Sequence, residues 1–154
     1  MSPEAHAILV ELDAVSRAAR EFYDYASAVL PASTLRSRCQ RLARAKSELV
    51  AVIALRLQHP RVGAPPQHRL LDRIASGLGR VRSGLATPEP AWLGDELERM
   101  ENAIVEHYEH AAAGSDDVST RCELMRLLPL LQRCRSEISS GSAADPNLGA
   151  AYSM

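Results

Sequence analysis

Apolar residues recur at alternating steps of four and three through four long stretches of this chain. That spacing returns to the same side of an α-helix turn after turn, so each stretch carries one apolar stripe that must be buried against a partner. The first stripe reads Ile8, Leu12, Val15, Ala19, Phe22, Ala26 and Val29. Pro3 suits a first helical turn and Pro31 ends the segment, which predicts a helix over about 3 to 30. The second reads Leu35, Cys39, Leu42, Ala45, Leu49, Val52 and Ile53, opened by Ser33 or Thr34 as a cap and stopped by Pro60, Gly63, Pro65 and Pro66. It spans roughly 34 to 59.

The third long stretch starts near Pro90, carries Leu93, Leu97, Met100, Ile104, His107 and Ala111, and is expected to stop at Gly114. Asp116 or Asp117 can cap the fourth, whose apolar positions include Val118, Cys122, Leu124, Met125, Leu128, Leu131 and Ile138. Pro129 lies inside it and should kink that helix or divide it in two. Between the second and third stretches, residues 67 to 83 are helical in period through Leu70, Leu71, Ile74, Leu78 and Val81. Gly77 and Gly79 each cost this shorter helix about 1 kcal/mol relative to Ala.

Connections of a few residues make the first two long helices one antiparallel hairpin and the last two another. Two hairpins joined by a crossover give an all-α fold, an antiparallel four-helix bundle of ferritin-like topology with a short crossover helix. Residues 1 to 140 are expected to form this single domain, and 141 to 154, rich in Ser, Gly and Ala, a flexible tail.

Composition agrees with a helical core. Apolar residues make up 46% of the chain and aromatics only 4%, so Leu, Ala, Val and Ile must do the packing. Cys39, Cys122 and Cys134 form neither a CxxC pair nor a disulfide framework, which favours a reducing compartment. Met1-Ser2-Pro3-Glu4 lacks the charged and apolar regions of a signal peptide, and charge interrupts every apolar run, so a cytoplasmic location with no membrane span is expected. The net charge of −1 hides a division: residues 1 to 83 balance at +6 and 84 to 154 at −7. Basic and acidic helices side by side would neutralise each other.

Leu97-Glu98-Arg99-Met100-Glu101-Asn102 followed by Tyr108 resembles the Glu-Asp then Tyr pattern of an uncharacterised bacterial domain family classed as ferritin-like four-helix bundles. Tyr23 with Ala26, and His68-Arg69 at the start of the crossover helix, echo the same family. The match covers roughly residues 8 to 138 and rests on spacing. The resemblance implies a fold and superfamily whose metal-binding members place a Glu on the first and third helices and Glu-x-x-His on the second and fourth. On this chain Glu21 or Asp24 stands for the first carboxylate, Glu48 for the second, Glu101 for the third and Glu123 for the fourth. The His positions are Ala51 and Arg126 instead, and Gln132 and Arg133 occupy the place of a late His in the fourth helix. The ligand set implied is therefore incomplete: Glu21, Glu48 and Glu101 are the candidate metal ligands, iron or manganese the alternative cofactor, and no cofactor the primary expectation.

Glu101 shares a helix side with Leu97, Ile104 and Tyr108, so it should be partly buried and need a partner, either a metal or Tyr23, Tyr25 or an Arg of the second helix. His107 and His110 lie three apart and with Glu106 could hold a surface Zn²⁺, although His also suits the last turns of a helix. Arg36, Arg38, Arg41, Arg44, Lys46 and Arg56 make the second helix basic, but no aromatic residue is interleaved, which argues against nucleic acid as partner. No nucleophile with an activator can be picked out, which leans against an enzyme. The expectation is a non-catalytic assembly or interaction module, a homo-oligomer or one binding another protein.

Overall fold

The computed structural model describes residues 1–58, 68–84 and 88–143, with side chains through 138. It contains five helices: α1 Pro3–Val29, α2 Thr34–Leu57, α3 Arg69–Ser83, α4 Pro90–Gly114 and α5 Val118–Ala143. The crossover helix of the sequence is α3, and the third and fourth long helices are α4 and α5. No strand occurs among the described residues, and no helix there is long and apolar enough to cross a membrane.

Local chemistry sets the ends. The Ser2 hydroxyl accepts from the Ala5 N–H with Pro3 at the first turn, and the Ser33 hydroxyl accepts from Arg36, so Ser33 is the α2 cap. Asp117 fills that role for α5, accepting from the Thr120 N–H at 2.9 Å. The α2 helix closes on Gln58, whose φ of 63° is the left-handed conformation common after a last turn, usually with Gly. The expected stops at Pro60, Gly63, Pro65 and Pro66 lie outside the described residues.

Three expectations are sharpened. The α4 helix ends at Gly114 as expected, and the chain leaves through extended Ser115 rather than through a left-handed glycine. Pro129 does not divide α5. It removes the N–H that would serve the Met125 carbonyl, and both residues are exposed, so water can satisfy that group. The α5 backbone is helical to Ala143; the rest of the expected tail, 144–154, lies outside the described residues.

Cross-helix bonds give the order of directions. Ser2 at the start of α1 meets Asp117 and Ser119 at the start of α5, so these two run parallel. Arg56 and Arg41 of α2 meet Glu123 and Glu137 of α5, an antiparallel pairing. Glu11 and Tyr23 of α1 meet Tyr108 and Glu101 of α4, again antiparallel. The four long helices thus run up, down, down, up, and α3 packs against α1 and α4. Leu, Val, Ile, Ala, Phe22, Tyr23 and Tyr108 fill one continuous core. Gly77 brings α3 close: a Cβ there would stand 3.1 Å from the Phe22 ring.

The basic and acidic halves do meet, with α2 finding its carboxylates on both α4 and α5. One seam position differs from the sequence reading. Lys46, not Ala45, is buried between Leu42 and Leu49.

Candidate functional site

Glu101 sits on the core side of α4 between Leu97 and Ile104 and is wholly buried, as is Lys46 of α2 facing it. The Lys46 Nζ lies 3.0 Å from both carboxylate oxygens. The Tyr23 hydroxyl of α1 donates to Glu101 Oε1 and lies 3.7 Å from Met100 Sδ. Three helices thereby contribute an ammonium, a carboxylate and a phenol to one enclosed network of a kind that is stable only when its charges are paired. Burial, with the Glu101 charge second, raises the Tyr23 pKa well above its ordinary value, so this phenol stays a donor. Tyr23 is one of the partners expected for Glu101; the cation of the second helix is Lys46 rather than an Arg.

The other two carboxylates named from the sequence stand elsewhere. Glu21 is exposed on α1 and pairs with Arg82 of α3 at 2.9 Å, and Glu48 is exposed on α2. Glu101 is thus brought together with neither. Asp24 is also exposed, and Glu123 is held by Arg56, with Nε 3.0 Å from Oε2. That guanidinium lowers the Glu123 pKa below the usual carboxylate range. Cys39 and Cys134 are buried, and burial pushes the Cys39 thiol up to about 11, far from thiolate reactivity at neutral pH. Cys122 is exposed, and all three are free.

A second cluster lies toward the other end of the α1–α4 contact. The Glu11 Oε1 of α1 is 2.9 Å from the Tyr108 hydroxyl, 3.1 Å from His107 Nε2 of α4 and 3.2 Å from His68 Nε2 at the head of α3. The Leu70 N–H donates to His68 Nδ1 at 3.1 Å, capping α3. With Nδ1 accepting, the ring proton of neutral His68 is on Nε2 and points at Glu11. Tyr108, buried beneath, has its pKa raised by burial and by the Glu11 charge. The two imidazoles meet edge to face, centroids 4.8 Å apart. Beside them opens a cleft of about 590 Å³ lined by Arg69, Leu70, Arg73, Ala103, Glu106, His107 and His110.

Sequence reading placed His107 with His110 and Glu106. The structure turns His107 toward α1 and α3 and leaves Glu106 and His110 exposed on the cleft. Glu11 and His68 were missed because their convergence depends on where α3 docks. Lys46 had a local signal, its four-three spacing from Leu42 and Leu49, which the choice of Ala45 as seam residue passed over. Searches against protein-family models, curated proteins and solved structures find no match to this chain.

Proposed function

We propose that this chain is a ferritin-like four-helix bundle in which an internal ion pair replaces metal ligation, and that it serves as a non-catalytic assembly or interaction module of the bacterial cytoplasm. The up-down-down-up order with α3 in the crossover supports the topology. One observation carries the replacement of metal ligation: the Lys46 ammonium is 3.0 Å from Glu101, the carboxylate a central metal would use. Two unit charges 4 Å apart repel by about 4 kcal/mol even at an effective dielectric constant of 20, and a divalent ion doubles that. The ammonium itself neutralises Glu101, so the interior gains nothing from a second cation.

Leu55 of α2 and Val118 and Met125 of α5 are large apolar side chains left exposed on the outer surface. Assembly is the simplest use of a closed, catalytically silent interior beneath such residues. Light scattering over a concentration series tests it: a self-associating species that Leu55→Lys and Met125→Lys dissociate is expected. A strict monomer at high concentration removes the homo-oligomer and leaves binding of a different protein, read by co-purification lost in the same variants.

Metal analysis of protein purified without chelator tests the replacement of metal at Glu101: stoichiometric iron or manganese that disappears in Glu101→Gln, with the fold retained by circular dichroism, would overturn it.

A further inference from the structure

The geometry points to a binding site for a divalent transition-metal ion of the zinc class, formed by Glu11, His68 and His107 where α1, α3 and α4 meet, and separate from Glu101. The ligand atoms of these three residues all lie within 4.8 Å of one another. Ligands about 2.0–2.1 Å from one ion stand about 3.3 Å apart at a tetrahedral angle. The two carboxylate–imidazole separations, 3.1 and 3.2 Å, lie just below that value. Only the distance between the imidazoles needs to close. Two imidazoles and one carboxylate form a borderline N,N,O donor set that suits Zn²⁺ and leaves a coordination position open.

Access and support are also in place. Glu11, His68 and His107 are half-buried, with side-chain exposures of 24%, 16% and 29%, and His107 borders the open cleft. The Tyr108 hydroxyl donates to Glu11 at 2.9 Å and holds the carboxylate in position, the role an outer hydrogen bond plays around a bound metal.

Metal uptake has a specific structural consequence. Ligation through His68 Nε2 moves the ring proton to Nδ1, which can then no longer accept from the Leu70 N–H. Ion binding and the α3 cap therefore compete, and the first turn of α3 reports on the site.

The test uses tag-free, full-length protein stripped of metal, titrated with Zn²⁺ in a calorimeter. One ion per chain is expected, with affinity falling at least tenfold in Glu11→Gln, His107→Ala and His68→Asn, and unchanged in His110→Ala. Asn keeps an oxygen acceptor for the Leu70 N–H while deleting Nε2, so His68→Asn should retain the fold, checked by circular dichroism. Co²⁺ should give visible absorption bands that the same three variants lose, and Zn²⁺ should speed hydrogen exchange at the Leu70 amide. Absence of binding, binding that survives His68→Asn, or binding lost in His110→Ala would overturn the proposal. The last outcome would assign the ion to the surface face of α4. The double variant Lys46→Met/Glu101→Leu, which leaves no lone charge in the core, should keep Zn²⁺ affinity intact, so the result is independent of the reading of the bundle centre.

Discussion

Lys46 and Glu101 face each other across the bundle from α2 and α4, with Nζ 3.0 Å from each carboxylate oxygen and neither side chain exposed to solvent. Breaking such a pair costs more than removing it whole, because the surviving charge is left without water or a counter-ion. Lys46→Met and Glu101→Leu should each destabilise the fold by about 3–5 kcal/mol, whereas the double variant should recover most of that loss, less about 1–3 kcal/mol for the buried Tyr23 hydroxyl that loses its acceptor. Urea unfolding of the four proteins measures this. Single variants that cost less than about 1 kcal/mol would show that the pair is not closed to solvent.

Tyr23→Phe removes the hydroxyl donor from Glu101 and should cost about 1–3 kcal/mol, because the carboxylate stays buried with one partner fewer. Alkaline behaviour follows from the same group. The folded pKa of Tyr23 lies well above the ordinary 10.0, and Tyr108 is raised likewise. The folded protein then holds protons that the unfolded chain loses above about pH 10, so stability is full below that pH and falls as pH rises beyond it. Ultraviolet titration should show these two phenols ionising only with unfolding, and Tyr23→Phe should flatten the loss.

Acid acts through different residues. Hydrogen bonds from the Ser2 and Thr120 hydroxyls depress the Asp117 pKa, and Arg56 depresses that of Glu123. A depressed carboxylate contributes stability that is present above its unfolded pKa and lost as pH falls through the folded one. Asp117→Asn and Glu123→Gln should each weaken the protein at neutral pH and reduce the slope of stability below about pH 4. Melting temperatures from pH 7 to 2 provide the check.

The two glycines of α3 should respond oppositely to alanine. Gly79 is exposed with nothing within 4 Å of an added Cβ, so Gly79→Ala should stabilise by about 0.5–1 kcal/mol through helix propensity. At Gly77 the same Cβ meets the fully buried Phe22 ring at 3.1 Å. Overpacking there should offset the propensity gain and leave Gly77→Ala about 1–2 kcal/mol below Gly79→Ala. Thermal unfolding distinguishes them.

The sequence by itself determined the helices, because four-three spacing and the punctuation at Pro3, Ser33 or Thr34, Pro90 and Asp116 or Asp117 are local: each needs only neighbours within about four residues to act. It also marked Glu101 as a partly buried carboxylate in need of a partner, with Tyr23 one of several offered, from the side of the helix it shares with Leu97 and Ile104. Tertiary structure decided what completes each cluster. Ala45 and Lys46 both continue a plausible stripe, and only the rotation of α2 against α4 places the ammonium inside and the alanine at the margin. Glu11, His68 and His107 are far apart in sequence and belong to three helices, so no spacing along one helix could announce them. Their meeting depends on α3 docking against α1 through Gly77, a contact made by the absence of a side chain.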